Sequence, residues 1–116
     1  EYVVEGNFRR MSGREAMEKL LQVSPLPTAI FAANDKMAIG ALQVAKERGI
    51  KVHDDIAIIG FDGIEAVKYT DPPLPTVEQP LGELGKVAAE LLAERIRGGE
   101  EKGIVLPCRL IEQNGV

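Results

Sequence analysis

The stretch TAIFAANDKMAIG, residues 28–40, places a run of small and apolar residues directly before an Asn-Asp pair and a helix-forming segment. A second stretch, IAIIGFDG at residues 56–63, repeats the arrangement, with Asp62 after the apolar run. Uninterrupted runs of this kind are typical of strands in a parallel sheet that is covered on both faces. Because a helical pattern separates them, we predict a right-handed parallel crossover between strands at residues 28–33 and 56–61.

The two helices that flank the first strand carry boundary signals. Ser12 and the Glu three residues later fit a capping box, which predicts a first helix over residues 13–23. Either Asn34 or Asp35 can cap the second helix, because both are favoured at that position. That helix is expected to end at Gly49, a residue suited to the left-handed conformation that terminates helices.

The remainder of the chain predicts shorter elements and one long helix. Residues 81–97 place Leu, Val and Ile side chains on one face and charged side chains on the other, which predicts an amphipathic helix. A short helix and a Pro-rich extended connector are expected before it, since proline prevents helix formation. Strand segments are predicted at residues 2–4, 104–106 and 110–111. The predicted fold class is α/β, an open parallel sheet with helices on both faces.

Composition narrows the class of protein. The 116 residues are 45% hydrophobic and 28% charged, as in a single globular domain or a fragment of a larger protein. The formal net charge is −4, and no segment gathers the cationic patch that nucleic acid binding requires. With one Cys and one His, neither an internal disulfide nor a zinc cluster is expected. We expect a cytoplasmic protein with no cofactor, no metal and no membrane segment.

Asn34 and Asp62 stand at the carboxyl ends of the two predicted strands. In an open α/β sheet these ends border the crevice in which small molecules bind. A carboxamide and a carboxylate there indicate ligand sensing rather than catalysis. Local alternatives remain open, because Asn34 can serve only as a helix cap and Asp62 can simply begin a turn with Gly63.

Three blocks, at residues 31–40, 59–62 and 72–80, together with residues 105–107, resemble the C-terminal part of LacI/GalR-family bacterial transcription regulators. The resemblance implies a periplasmic-binding-protein-like core, with a flavodoxin-like subdomain, that binds a sugar-like or nucleobase-like effector in a cleft. It also implies a homodimer and an amino-terminal helix-turn-helix head that binds DNA. Since this chain has no such head, DNA is expected as a partner only through a part of the protein outside it.

The resemblance assigns effector-binding roles to Phe8, Asn34, Asp62 and Gln79. The aromatic ring would stack on the effector and the polar groups would hydrogen-bond it. Taken alone, Phe8 is more typical of a core residue and Gln79 of a surface residue.

Subunit-interface positions of the family correspond to Ile39, Ala66, Val67, Tyr69 and Thr70. Ile39 lies off the apolar stripe of its helix, which agrees with such a role. A single exposed Ile is nevertheless unremarkable on its own.

The resemblance also divides the chain. Residues 1–79 correspond mainly to the C-terminal subdomain, residues 80–103 to a helix of the other subdomain, and residues 104–116 to terminal strands. The apolar face of that helix requires a partner, so we expect a homodimer or an exchanged oligomer.

Two rival functions are a periplasmic sugar-binding protein of a transporter and a small nucleotide-binding enzyme. The second is disfavoured because the sequence has no phosphate-binding glycine loop and no catalytic triad, so no catalytic residue is assigned.

Overall fold

The computed structural model describes residues 1–113. The polypeptide forms helices and strands in alternation, as the α/β class requires. The helices are α1 (Arg10–Leu20), α2 (Asp35–Glu47), a 3-10 helix (Glu65–Lys68) and α3 (Leu81–Ile96). The strands are β1 (Ala29–Phe31), β2 (Ala57–Asp62), β3 (Thr76–Glu78) and β4 (Arg109–Ile111).

The strands form one open sheet in the order β1-β2-β3-β4. β1, β2 and β3 run parallel, which confirms the α/β class and the predicted crossover. β4 is antiparallel to β3, so the sheet is mixed rather than wholly parallel. Arg109 pairs with Glu78, the last residue of β3, so the chain returns from α3 to the same edge of the sheet that it left.

The core lies between one face of the sheet and the helix pair α1 and α2. Met17 of α1, Val44 of α2 and Ile58 of β2 are buried in a single apolar cluster. On the other face β1 is open, since Phe31 remains 63% exposed. This face of β1 lies open in the described residues, whereas the neighbouring Ile30 packs against the core.

Two glycines allow α1 and α2 to approach closely. A Cβ atom on Gly13 would lie 2.2 Å from the carbonyl oxygen of Met37 in α2. A Cβ atom on Gly40 would lie 2.1 Å from the carbonyl oxygen of Arg10 in α1. These obstacles are backbone atoms, which no side-chain rotation can move, so both positions require glycine.

The first helix begins earlier than the capping box indicates. Its N-cap is Arg9, which makes no side-chain cap, and the helix starts at Arg10. Ser12 lies inside the first turn, where its hydroxyl donates to the Arg9 carbonyl at 2.9 Å and accepts from the Asn7 amide at 3.0 Å. The helix begins at Arg10, before the predicted start at Gly13, so the capping-box prediction is wrong.

The observed strands also differ from the predicted ones. Residues 2–4 and 104–106 are apolar but form no strand. The predicted segment at residues 110–111 is confirmed as part of β4. The prediction contained no strand at β3, a segment of three residues that becomes a strand only by pairing with β2 and β4.

We expect Gly40→Ala to lower the free energy of unfolding by about 2 kcal/mol, since overpacking against rigid backbone outweighs the better helix propensity of Ala. Urea denaturation followed by circular dichroism measures the change. Gly85→Ala is the matched control, because a Cβ atom on Gly85 in α3 meets nothing within 4 Å. That control should be neutral or stabilising, and an equal loss in both variants would contradict the close-packing explanation.

A bidentate ion pair joins α1 to α2 on the surface, with Arg14 Nη1 and Nη2 each donating to Glu47 at 2.8 Å. The hydrogen bond from Arg14 lowers the pKa of Glu47. A carboxyl group whose pKa is lowered by folding stabilises the protein above its unfolded-state pKa, and this contribution is lost as the pH falls through the folded-state pKa.

Arg14→Gln is therefore expected to show a smaller loss of stability than the unaltered protein on acidification from about pH 5 to pH 3. Urea midpoints across that range measure the difference. Parallel pH profiles would show that the ion pair contributes nothing to folding.

Candidate functional site

Polar side chains gather where the three parallel strands end. The β1 ladder extends to Ala32, whose amide donates to the Ile59 carbonyl at 2.8 Å, and Asn34 follows two residues later. Asp62 is the last residue of β2, and Gln79 comes directly after β3. Because adjacent parallel strands end at the same edge, these residues lie along one border of the sheet, the position predicted for a ligand crevice.

Asp62 and Gln79 form a bonded pair. The Gln79 Nε2 group donates to Asp62 Oδ1 at 2.6 Å, and the Gln79 amide donates to the Asp62 carbonyl at 3.0 Å. Both residues are half-buried. Asp62 Oδ2 forms no hydrogen bond with any residue in the range 1–113, so it is free to accept one from a hydroxyl or amine group.

Asp62 also has an unusual backbone conformation. Its φ is +122°, in a region that residues with a side chain rarely adopt. Such a conformation costs about 1–3 kcal/mol and persists only when neighbouring contacts impose it. The side-chain direction of Asp62 therefore depends on the structure that surrounds it.

Asn34 is the N-cap of α2. Its Oδ1 accepts from the Met37 amide at 3.0 Å, and its Nδ2 donates to the Phe8 carbonyl at 2.8 Å. The interpretation in which Asp35 takes the cap and Asn34 is free is wrong, because the Asn34 side chain satisfies the first turn of the helix.

Phe8 lies at the same edge and is held there by its backbone. Its φ is +68°, and its side chain is 61% exposed. The alternative in which Phe8 is a core residue is therefore excluded, and its aromatic ring is open to contact.

Asp35, the first residue of α2, is fully buried and makes three hydrogen bonds. Its Oδ2 accepts from the amides of Gly63 and Ile64, each at 2.8 Å, and its Oδ1 accepts from the Thr76 hydroxyl at 2.6 Å. From local sequence, Asp35 is only an alternative N-cap of α2. The one signal in the sequence was an acidic residue at the start of a helix beside a buried strand, and it does not reveal partners 28 to 41 residues away.

Two glycines make room for this arrangement. A Cβ atom on Gly60 would lie 2.2 Å from Asp35 Oδ1. Gly63 has φ +83°, and a Cβ atom there would lie 2.8 Å from Glu78 Cα. The turn after β2 thus accepts only glycine at residue 63.

An apolar cavity of about 550 Å³ lies apart from this polar border. Residues 2–4, the open face of β1 and Met17 line it, and Phe8 stands at one side. Asn34, Asp62 and Gln79 do not contribute to it. This cavity is the uncovered side of β1 rather than the site at the strand ends.

The predicted interface residues occupy different environments. Ala66 and Tyr69 are exposed, and Ile39 is partly buried against the core. Thr70 is half-buried, and its hydroxyl bonds the carbonyls of Val67 and Pro72 at 3.0 Å each. Val67 is buried in the core, so its side chain is not available to a partner and that part of the prediction is wrong.

The sequence matches the profile of the periplasmic binding protein-like domain over residues 1–114. The chain belongs to this family. The HTH-type transcriptional repressor CytR of Escherichia coli K12 is 44% identical over 98 residues, which cover 84% of this chain and 29% of that repressor. The resemblance to LacI/GalR-type regulators is thereby confirmed, and the relatives favour a regulator over an enzyme or a transporter component.

Solved structures of LacI family regulators have a similar fold. A LacI family regulator from Enterococcus faecalis V583 with bound ribose has a TM-score of 0.88 at 36% identity, over 95% of this chain and 41% of that one. The lac repressor dimer bound to operator and an anti-inducer has a TM-score of 0.87 at 34% identity, over 94% of this chain and 38% of that one. The periplasmic binding protein-like chain described here thus spans less than half the length of these relatives.

Two further properties concern the described residues alone. None of their helices is long and apolar enough to cross a membrane. Within residues 1–113 there is also no group of three or more His, Cys, Asp or Glu side chains placed to hold a metal ion.

Asn34→Ala is expected to lower the free energy of unfolding by about 2 kcal/mol, through the lost cap and the lost bond to Phe8. Asn34→Ser keeps a cap acceptor but cannot also reach the Phe8 carbonyl, so its loss should be about half as large. Urea denaturation of both variants separates the two contributions. A stability unchanged by Asn34→Ala would contradict the capping role.

Proposed function

We propose that this chain is the C-terminal part of the effector-binding core of a LacI/GalR-type transcription regulator that senses a small sugar-like or nucleobase-like molecule. The observation that carries the proposal is the Asp62–Gln79 pair at the strand ends, with one carboxylate oxygen left free. Phe8, Asn34, Asp62 and Gln79 are the proposed effector-binding residues. The exposed ring of Phe8 supports a planar or pyranose-like ligand, since aromatic rings cover the apolar faces of such molecules.

The chemistry of the site supports a neutral ligand rich in hydroxyl or amine groups. Carboxylates dominate this edge of the sheet, because Asp62 pairs with Glu78 in the sheet register and Asp35 lies behind them. The cation Arg109 is bonded to Glu78 at 3.2 Å. A ligand with free hydroxyl donors complements this border better than a phosphate would.

The surface of α3 supports the proposed division of the chain. No residue of α3 is buried, and Ile96 is 78% exposed. An apolar helix face of this size is stable in water only when another element covers it. We assign residues 1–79 mainly to one subdomain and residues 80–103 to the helix of the other, with residues 104–116 as terminal strands, of which residues 114–116 lie outside the described range.

Partners and location follow from the same proposal. Ile39, Ala66, Tyr69 and Thr70 remain the proposed contributors to a homodimer interface. DNA would be bound only through a head domain outside this chain, and the protein would act in the cytoplasm. The solved lac repressor dimer on its operator supports this arrangement as a relative of similar fold.

Asp62→Asn is expected to weaken effector binding in the intact regulator by about 1–3 kcal/mol, the cost of leaving polar groups poorly matched. Ribose, galactose, adenine, cytidine and glucose 6-phosphate form the first panel, ranked by thermal shift. Calorimetry with the compound that stabilises most then gives the affinity of both proteins.

The matched control is Asp54→Asn, which removes the same charge from an exposed loop that precedes β2, at the opposite edge of the sheet. That variant should bind as the unaltered protein does. Equal affinity of Asp62→Asn and the unaltered protein would remove Asp62 from the site.

A further inference from the structure

Asp62, the proposed ligand group, ends β2, where its carbonyl still accepts from the Gln79 amide at 3.0 Å, and the turn that begins at Gly63 lies beyond the sheet ladder. Asp62 has a φ of +122° and Gly63 a φ of +83°, so two successive residues depart from strand geometry. A turn of this kind samples other conformations unless specific contacts restrain it. The contacts that restrain this turn come from Asp35.

The restraint comes from a group that the ligand cannot reach. Asp35 is fully buried, and its carboxylate accepts from the amides of Gly63 and Ile64, the two residues directly after Asp62. Hydrogen bonds to an ionised acceptor are about twice as strong as neutral ones. These bonds, with the one from Thr76, are called here the Asp35 tether.

The tether also spans the elements that form the site. Asp35 begins α2, and its partners are the two residues that follow β2 and Thr76, the first residue of β3. Asp62 ends β2, and Gln79 directly follows β3. The buried Thr76 hydroxyl donates to Asp35 Oδ1 at 2.6 Å. This oxygen occupies space that a Cβ atom on Gly60 would take. One carboxylate therefore joins the start of α2, the turn after β2 and the first residue of β3.

We propose that Asp35 is a positioning residue for the effector site, acting through the tether to hold Asp62 against Gln79 without touching the ligand. This inference rests on the proposed function, because it takes Asp62 as a ligand-binding group. Asp35 would then be a buried residue that affects effector affinity without contacting the effector.

The test is a double-mutant cycle on the intact regulator with Asp35→Ala and Asp62→Asn. The probes are ribose, adenine and cytidine, and the dissociation constants are measured by calorimetry. Asp35→Ala should weaken binding by about tenfold or more, since two charge-assisted bonds to the turn are lost. In the Asp62→Asn background the same change should cost less affinity, because the carboxylate that Asp35 positions is already absent.

Two further variants separate positioning from other roles. Asp35→Asn can accept from both amides through its oxygen and donate to Thr76 through its nitrogen, so it should bind within about threefold of the unaltered protein. An Asp35→Asn variant that loses as much affinity as Asp35→Ala would overturn a positioning role that acts through these hydrogen bonds. Val44→Ala, a core change far from the turn in sequence, is the stability control and should lower the melting temperature without changing affinity.

One readout needs no effector. Amide hydrogen exchange at Gly63 and Ile64 should accelerate in Asp35→Ala and not in Val44→Ala. If Asp35→Ala fails to fold, Thr76→Val, which removes one bond of the tether, takes its place with a smaller expected loss of affinity.

The outcomes are distinguishable. Weakening by Asp62→Asn with unchanged affinity or unchanged exchange in Asp35→Ala overturns the positioning role and leaves the proposed site intact. Additive losses in the cycle overturn it as well. No effect of Asp62→Asn would end the assigned site and this inference together.

Discussion

The buried carboxylate of Asp35 is the interaction on which the rest of this structure depends. A buried charge is costly unless hydrogen bonds replace the water that it loses, and removal of its partners destabilises the fold strongly. Here the backbone amides after β2 and the hydroxyl at the start of β3 supply that replacement. The position of Asp35 at the amino end of α2 adds the favourable interaction with the helix dipole. One side chain thus joins the helix to two strands.

Glycines stand where neighbouring elements of the sheet and helices approach each other too closely for a Cβ atom. Gly60 leaves the space that Asp35 occupies, and Gly63 allows the turn to pass Glu78. Gly13 and Gly40 bring α1 and α2 into backbone contact above the core. The elements that these close contacts bring together carry the polar border formed by Asn34, Asp62 and Gln79.

The other half of the surface is open and apolar. Phe31 on β1 and the apolar residues of α3 are exposed, and the cavity of about 550 Å³ lies against β1. Relatives are more than twice as long as this chain, and their cores have the same fold over the shared part. The polar border and the open apolar cavity thus lie on different parts of the described residues.

Local patterns in the sequence were sufficient for the two parallel strands, the helix between them, the long amphipathic helix and the family, since each depends on neighbouring residues. They also placed Asn34 and Asp62 at strand ends. The start of α1 at Arg10, the strand β3 and the mixed sheet depended on contacts between distant segments, as did the burial of Val67. The role of Asp35 was decided only by tertiary structure, because its partners lie 28 to 41 residues away and become neighbours only when the sheet forms.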